Sequence, residues 1–208
     1  ETIEKELVNT TMLTGDGIEE SIKSVEQVLE IASYTQALGA YLANLDDSSR
    51  DQAFDYLSRL QKENNDLLEN VILINLQGKA AITDTSITSD MDFSDRDYIK
   101  RALQGQVSIS DVITSKLSGR PVIGIAYPLR YSDRVVGALV GTIEFSQIYK
   151  KAAEIKVGET GYCFMINSTG LVIYHPVADK ILKENLGETT NEELKALVAK
   201  MKNGETGQ

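Results

Sequence analysis

The chain has 208 residues, 42% of them apolar, and its 31 acidic against 21 basic residues give a formal net charge of −10. This acidic surplus argues against nucleic-acid and polybasic membrane-surface binding, since both need surfaces rich in lysine and arginine. The sequence has no uncharged apolar run of about 18 residues and no signal-peptide pattern, so neither a spanning helix nor a secretory leader is predicted.

The residue types on which most catalytic sites depend are scarce. The single cysteine, Cys163, lies in an apolar run, and the single histidine, His175, precedes Pro176. One of each is too few for a thiolate relay or a zinc site, and Walker-type, G-x-S-x-G and H-E-x-x-H motifs are absent. The sequence therefore predicts no catalytic residue, no metal site and no cofactor. Cys163 is expected to be a buried apolar side chain.

The first 70 residues or so have helical periodicity. A stripe of apolar residues recurs at spacings of three and four and consists of Ile18, Ile22, Val25, Leu29 and Ala32. Gly15 and Gly17 could interrupt this helix, although packing can override their combined cost of ~2 kcal/mol. After the break at "ANLDDSSR", Asp47 or Ser48 is expected to cap a further helix.

From Val71 the pattern changes to short apolar runs separated by turns. "VILIN" and "AAIT" around "LQGK" predict a hairpin, with Gly78 at a position of positive φ. "DFSDRDYIKRALQGQ" predicts a loop and a short helix, capped by Ser94 or Asp95 and stopped by Gly105. Three strands follow, "VSISDVITS", "PVIGIAYPLRY" and "RVVGALVGTIEF". One five-stranded sheet, with the last three strands as an antiparallel meander, accounts for this order.

The hairpin pattern then occurs a second time. In "CFMINSTGLVIYHP" the residues Ile166-Asn167-x-x-Gly170 match Ile74-Asn75-x-x-Gly78. The match could be coincidence, because N-x-x-G is common turn chemistry. The matching order of apolar run, turn, apolar run and helix favours duplication. With helices expected around "ADKILKENL" and at "NEELKALVAKMK", the chain holds one complete unit and the opening half of another.

Four blocks carry a resemblance to a known family. After a long helix, "DRDYIKRALQGQVSISDVI", "GRPVIGIAYPL", "VVGALVGTIEF" and "GETGYCFMINSTGLVIYHP" resemble, in this order, the double Cache sensor domains of bacterial and archaeal chemoreceptors, sensor histidine kinases and diguanylate cyclases. The resemblance implies an α+β fold with a long N-terminal helix and two PAS-like Cache units. Each unit would be a mainly antiparallel sheet of about five strands flanked by helices. Residues 1–70 would form the stalk, 71–150 the membrane-distal unit and 155–208 a truncated membrane-proximal unit.

The resemblance also implies a function. The chain would be the extracytoplasmic part of a membrane-anchored chemotaxis protein or sensor histidine kinase, and its distal unit would bind a small organic acid, amine or similar metabolite. The covering helix and the sheet would enclose this ligand. A homodimer through the N-terminal helix is expected in the intact receptor. The alternative is a stalk of the same kind of receptor that dimerises or docks a protein and binds no ligand.

Two candidate ligand contacts lie at the start of the covering helix. "SDRDYIKRA" matches that start in the family, which assigns Arg96 and Tyr98 to the pocket. Arginine offers a planar fork for a carboxylate, and tyrosine a rigid face with a terminal hydroxyl. Arg96 could instead pair with the neighbouring carboxylates, which are those of Asp92, Asp95 and Asp97.

Three further candidates lie on the predicted strands. Asp111 and Tyr127 each face either the pocket or solvent by the period of two, and Asp111 in the pocket would bind an ammonium group. Thr142 aligns with an aspartate that holds the amino group in amino-acid-binding members, and Glu144 follows two residues later. The chain has no tryptophan to complete the Arg-x-Trp-Tyr motif of those members, so an α-amino-acid ligand is not favoured.

Overall fold

The computed structural model describes residues 2–85, 91–153, 156–157 and 161–205. Three helices come first, α1 (Thr2–Ser33), α2 (Gln36–Asn44) and α3 (Asp47–Glu63). Helix α1 continues through both early glycines, and the C-terminal part of its predicted stripe is buried. The cap of α3 is Asp46 rather than Asp47 or Ser48, because the Asp46 carboxylate accepts a hydrogen bond from the Ser49 N–H at 2.9 Å.

Five strands form the sheet that the sequence predicts. They are β1 (Asn70–Asn75), β2 (Ala80–Thr83), β3 (Ser108–Thr114), β4 (Pro121–Tyr131) and β5 (Arg134–Glu144). Their order is β2-β1-β5-β4-β3, and every neighbouring pair is antiparallel. Helix α4 (Asp97–Leu103) lies in the crossover from β2 to β3. The predicted hairpin, helical crossover and meander are therefore confirmed.

The two faces of this sheet have different partners. On the stalk face, Leu73, Ile125 and Leu139 belong to a core formed with α1, α2 and α3. On the other face, which we call the α4 face, Ile72 and Val140 pack with residues of α4. Successive side chains of a strand alternate between the faces, so strand residues away from the bulges can be assigned to one of them.

The part of the chain after β5, which we refer to as the second unit, is built from shorter elements. Helix α5 (Phe145–Ala153) leads to the ribbon of β6 (Lys156–Val157) and β7 (Gly161–Tyr162), and then to the hairpin of β8 (Met165–Ile166) and β9 (Val172–Tyr174). Neither ribbon joins the five-stranded sheet. The helix predicted around "ADKILKENL" is wrong: the segment forms 3-10 turns at Ala178–Lys180 and Leu186–Glu188, because Leu182 is left-handed with φ of 56°. Helix α6 (Glu192–Lys202) is confirmed.

The repeated turn has the same geometry in both copies. Asn75 Oδ1 accepts hydrogen bonds from the backbone N–H groups two and four residues later, both at 3.0 Å. Asn167 Oδ1 does the same at 3.0 and 2.9 Å. Gly78 and Gly170 close the turns with φ of 77° and 91°, a region that side chains disfavour. The short sequence match thus corresponds to the same hydrogen-bonded turn in both places.

Among the described helices, none is long and apolar enough to cross a bilayer.

Candidate functional site

Helix α4 covers one end of the α4 face. It begins at Asp97, so the predicted caps Ser94 and Asp95 are wrong. The Asp95 carboxylate is bound instead by Lys116, whose Nζ lies 2.6 Å from Asp95 Oδ1. Tyr98 follows in the first turn of the helix and is buried against the sheet.

Tyr98 packs directly onto Gly124 of β4. A Cβ at Gly124 would lie 2.8 Å from both Cζ and Oη of Tyr98, so only glycine leaves room for the ring. Burial raises the pKa of Tyr98 to about 12, so its hydroxyl stays protonated at neutral pH. Within the described part of the chain this hydroxyl forms no hydrogen bond, although the residue is only 5% exposed. The hydroxyl is therefore a candidate donor or acceptor for a bound molecule.

A row of four residues, three with polar side chains and one glycine, crosses the sheet at the level of Tyr98. Gly124 is the cross-strand partner of Thr142, and Thr142 is the partner of Asn70. Ser110, at a bulge in β3, accepts a hydrogen bond from the Gly124 N–H on its Oγ at 2.8 Å. We call these four residues the polar row. The neighbouring level of the same face is apolar and consists of Ala126, Val140 and Ile72.

Thr142 connects the polar row to an ion pair between the buried carboxylate of Glu69 and the half-exposed Arg120. Its Oγ1 accepts a hydrogen bond from the Asn70 N–H at 3.2 Å and donates one to Glu69 Oε2 at 3.2 Å. The Glu69 side chain is only 5% exposed, and its Oε1 lies 2.9 Å from Arg120 Nη2. The Thr142 hydroxyl thus both accepts and donates a hydrogen bond. A ligand in contact with this hydroxyl would also perturb its bond to Glu69, and through Glu69 the ion pair with Arg120.

Arg120 carries this network toward the second unit. Its Nη1 lies 2.6 Å from Glu144 Oε2, and Glu144 also accepts a short hydrogen bond from the Ser146 hydroxyl at the start of α5. A cleft of about 500 Å³ separates this end of the sheet from the segment after β9, and residues of both sides line it, among them Arg120, Glu144, Tyr149, Ile181 and Lys183. A continuous set of contacts therefore runs from the polar row to α5.

Replacement of Arg120 by methionine is expected to lower the free energy of unfolding by about 2 kcal/mol at pH 7. The change leaves the buried Glu69 carboxylate without its cation, and the half-exposed position of Arg120 moderates the loss. Urea denaturation followed by circular dichroism measures the difference. The second change Glu69→Gln should restore most of the stability, whereas Arg134→Met, at an exposed site, should have little effect. Equal losses of stability in Arg120→Met and Arg134→Met would contradict the conclusion that Arg120 stabilises the fold through its ion pair with Glu69.

Asn70 has a buried acceptor without a donor. Among the described residues, Asn70 Oδ1 is the one buried side-chain oxygen or nitrogen atom found without a hydrogen-bond partner. The Asn70 side chain interacts with the carboxyl of Asp84, which also accepts a hydrogen bond from the Val71 N–H at 3.3 Å. An unpaired buried acceptor costs ~1–3 kcal/mol. Asn70 Oδ1 thus marks a place where an incoming donor would be stabilising.

Asp84 should make the stability of the chain depend on pH. Burial raises the pKa of the Asp84 carboxyl, more than its hydrogen bonds with Val71 and Asn70 lower it. The folded chain therefore holds this proton more tightly than the unfolded chain. The resulting stabilisation is complete below the ordinary aspartate pKa and is lost as the pH rises through the folded value.

Asp84→Asn is accordingly expected to be more stable than the unmodified chain at pH 7, because it avoids the buried charge and keeps a side-chain acceptor for the Val71 N–H. The difference should shrink toward about pH 4, where the carboxyl is protonated. Tm measured across this range tests the expectation, with exposed Asp55→Asn as the control. A stability gain that does not change with pH would count against the titration of Asp84.

In the structure the Arg96 guanidinium contacts other groups of this chain. Its Nη2 donates a hydrogen bond to the Thr114 carbonyl at 3.0 Å, and its Nε lies 3.8 Å from Asp95 Oδ2. Of the two interpretations of Arg96, pairing with a neighbouring carboxylate is the arrangement observed. Its side chain is 21% exposed and its charge acts on Tyr98, so it stands at the border of the candidate site.

Tyr127 and Asp111 lie apart from Tyr98. Tyr127 is part of the core on the stalk face, because it has the opposite strand parity from Gly124. Asp111 is exposed at the bulge of β3, and its Oδ2 accepts a hydrogen bond from Asn167 Nδ2 of the second unit at 2.8 Å. The structure therefore brings Tyr98 and Thr142 to one face, with Arg96 at its border, and assigns the other two predicted residues to different surroundings.

Sequence reasoning missed four polar residues of this region. They are Asn70 and Ser110 of the polar row, and Glu69 and Arg120 of the ion pair. Asn70 left a detectable signal, because it occupies the same strand parity as Ile72 and Ile74 and is polar on a face otherwise expected to be apolar. The contacts of Glu69 and Arg120 join residues far apart in sequence and left no such signal.

A five-stranded antiparallel sheet with a long helix along one face and a short helix over the other is a PAS-like α+β unit. The comparisons with known proteins agree with this architecture. The family model dCache_1, described as Cache domain, matches residues 1–208. The chain therefore belongs to the Cache domain family. No curated protein matches the chain significantly.

Solved structures show the same fold at low sequence identity. The ligand-binding domain of the amino acid chemoreceptor PctC of Pseudomonas aeruginosa, in complex with GABA, is 19% identical with a TM-score of 0.66, and the match covers 90% of this chain and 82% of that one. A domain of a sensory box/GGDEF family protein of Vibrio parahaemolyticus is 14% identical with a TM-score of 0.77, over 99% and 85%. The sensor domain of the histidine kinase DctB of Vibrio cholerae is 16% identical with a TM-score of 0.69, over 93% and 75%.

Proposed function

We propose that this chain is the extracytoplasmic ligand-sensing region of a membrane-anchored signal-transduction receptor, a methyl-accepting chemotaxis protein or a sensor histidine kinase. A small metabolite binds in the distal unit, between α4 and the sheet, and no catalytic step is involved. The observation that carries the proposal is the polar row beneath Tyr98, which places hydrogen-bonding groups inside an otherwise apolar face. Binding sites for small molecules combine apolar walls with a few placed polar groups in this way. Family membership and the sensor-domain neighbours support the same role.

Two sets of contacts support transmission from this site to the second unit. One leads from Thr142 through Glu69 and Arg120 to the start of α5. The other leads from Gly124 through Ser110 to Asp111, which binds Asn167. A ligand shifts the balance between two arrangements only by binding one of them more tightly. Contact with the polar row would supply that difference directly.

A thermal-shift screen of small metabolites against the 208-residue chain tests the proposal. A ligand at about 100 times its Kd should add about 2.7 kcal/mol of stability. The same compound should have a reduced effect on Tyr98→Phe and an unchanged effect on Tyr34→Phe, since Tyr34 is exposed. The ligand proposal fails if a broad library gives no stabilisation.

One observation favours the alternative of a dimerising stalk that binds no ligand. Ile31 in the last turn of α1 and Tyr34 directly after that helix are 73% and 77% exposed, which is unusual for large apolar side chains beside a packed core. A homodimer through α1 would cover them. Two results together would favour this function over ligand sensing. The ligand screen would give no stabilisation, and analytical ultracentrifugation would show a dimer that is absent in Ile31→Glu.

A further inference from the structure

The cleft between the end of the sheet and the segment after β9 has the features of a second binding site. We propose that this cleft binds a small aromatic carboxylate, a molecule with a flat apolar ring and one negative group. The site is separate from the polar row, so the proposed function does not depend on it. A ligand here would contact both units and hold the segment 178–183 against the end of the sheet.

The cleft has a suitable size and apolar walls. Its volume of about 500 Å³ lies within the range of about 300–1,000 Å³ that is usual for small-molecule sites. Pro121 lies on the wall that the sheet forms, and Ala178, Ile181 and Leu182 lie on the wall of the second unit. The Tyr149 ring of α5 also lines the cleft. These groups offer an organic ring apolar surface from both units.

The half-buried Tyr149 ring is held in place by two other rings. Its centroid lies 4.4 Å from that of Tyr174 and 5.4 Å from that of Phe145, the latter in an edge-to-face arrangement. Contacts of this kind stabilise aromatic pairs beyond the burial of their area. A ligand ring against Tyr149 would extend the cluster at little entropic cost, because the tyrosine ring is already fixed by its neighbours.

The charges that line the cleft favour an anion. Two of the charged lining residues are cations, Arg120 and Lys183, and one is a carboxylate, Glu144. This local excess of positive charge is opposite in sign to the net charge of −10 of the whole chain. Both oxygens of Glu144 already accept hydrogen bonds, one from Arg120 and one from the Ser146 hydroxyl, so the charge of this carboxylate is largely offset.

Both cations can bind a further anion. The ion pair of Lys183 with Asp179 is long, at 3.4 Å, and both side chains are largely exposed, so little stability is lost when Lys183 turns to a ligand. A guanidinium has five N–H donors, and the contacts of Arg120 with Glu69 and Glu144 use one on each Nη. The half-exposed Arg120 therefore keeps donors for a carboxylate. Hydrogen bonds from these cations to a ligand carboxylate would be charge-assisted.

Matched compounds test the class of ligand. Phenylacetate, indole-3-acetate and benzoate carry both the ring and the charge. Phenylacetamide, indole-3-acetamide and benzamide keep the ring and lack the charge, whereas acetate keeps the charge and lacks the ring. Tm of the 208-residue chain is measured with each compound, and Kd is measured by calorimetry for those that raise Tm. At least one aromatic carboxylate should raise Tm, and neither its amide nor acetate should.

Two variants test the place of binding. Lys183→Gln removes a cation at an exposed position, so Tm without ligand should stay the same, while Kd for the aromatic carboxylate should increase by about fivefold or more. Ala178→Phe places a large side chain in the lining of the cleft and should abolish binding, also without loss of stability, because Ala178 is exposed. Lys195→Gln is the control, since this exposed lysine of α6 has a similarly long contact with Glu192.

Four outcomes overturn the inference: no aromatic carboxylate raises Tm, an amide or acetate binds as well, binding is unchanged in Lys183→Gln or Ala178→Phe, or binding is weakened in Tyr98→Phe. The last result would assign the compound to the polar row instead. If Ala178→Phe does not fold, unchanged binding in Lys183→Glu overturns the inference in its place. The proposed function is tested separately, because it requires a metabolite whose binding depends on Tyr98 and not on Lys183.

Discussion

Replacement of Tyr98 by alanine is expected to lower the free energy of unfolding by about 4 kcal/mol and to abolish binding of the proposed ligand. The ring is 5% exposed and lies between α4 and Gly124, so its removal opens a cavity in the core of the α4 face. Aromatic residues truncated to alanine in a packed core cost ~3–5 kcal/mol. Urea denaturation measures the stability loss. The exposed residue Tyr34, changed to alanine, should show neither effect.

Tyr98→Phe separates the binding role of this residue from its packing role. The variant keeps the ring and removes a hydroxyl that has no hydrogen bond to another described residue, so stability should change by less than about 1 kcal/mol. Ligand affinity should nevertheless fall, by about tenfold for one lost hydrogen bond. If Tyr98→Phe binds as tightly as the unmodified chain, the hydroxyl does not contact the ligand. The assignment of Tyr98 would then be limited to the wall of the site.

Gly124→Ala is expected to give the second large effect, a loss of about 2 kcal/mol together with weakened binding. The new Cβ would lie 2.8 Å from the end of the Tyr98 ring, so the ring must move away from the polar row. Overpacking of a buried contact costs ~1–3 kcal/mol. Thermal and urea denaturation with a ligand titration measure both consequences. Gly15→Ala is the control, because that helical glycine has open space around it and alanine should stabilise the helix by about 1 kcal/mol.

A double-mutant cycle identifies the cause of the Gly124 effect. If the loss comes from a clash with the ring, Gly124→Ala should cost much less in a Tyr98→Leu background, with a coupling energy of about 1 kcal/mol or more. Purely additive losses would show that Gly124 is needed for another reason, such as the local backbone of β4.

The strands were predictable because one physical rule governs them. Strands that are buried on both faces are continuous apolar runs, and such runs separated by turn residues gave the hairpin, the meander and the single five-stranded sheet. The helix caps were less predictable, since several carboxylates stand near each helix start. Asp95 is taken by Lys116, a residue 21 positions later, and no local pattern shows that contact. The segment around Leu182 has a helical pattern but turns left-handed at that residue.

The candidate site was also only partly predictable, because contacts between residues far apart in sequence leave no local pattern. The resemblance directed attention to Tyr98 and Thr142, which the structure places on one face. For Tyr127 the period of two allowed either face, and packing against the stalk decided which. Asp111 lies at a bulge, where the alternation breaks, and its partner Asn167 is 56 residues away. Asn70 was missed because the first strand was predicted to begin at Val71, one residue later than in the structure.

The contact between Asn167 and Asp111 also affects how the sheet can associate. Strand β3 is an outer strand, where unpaired backbone groups invite an added strand from another molecule. Here the bulge interrupts the regular hydrogen bonding of β3, and the exposed carboxylate of Asp111 lies at this bulge. Asn167, the asparagine of the second turn, donates a hydrogen bond to that carboxylate. No uninterrupted row of donors and acceptors is left along this margin for a guest peptide. Copies of this chain are consequently not expected to associate by sheet extension at β3.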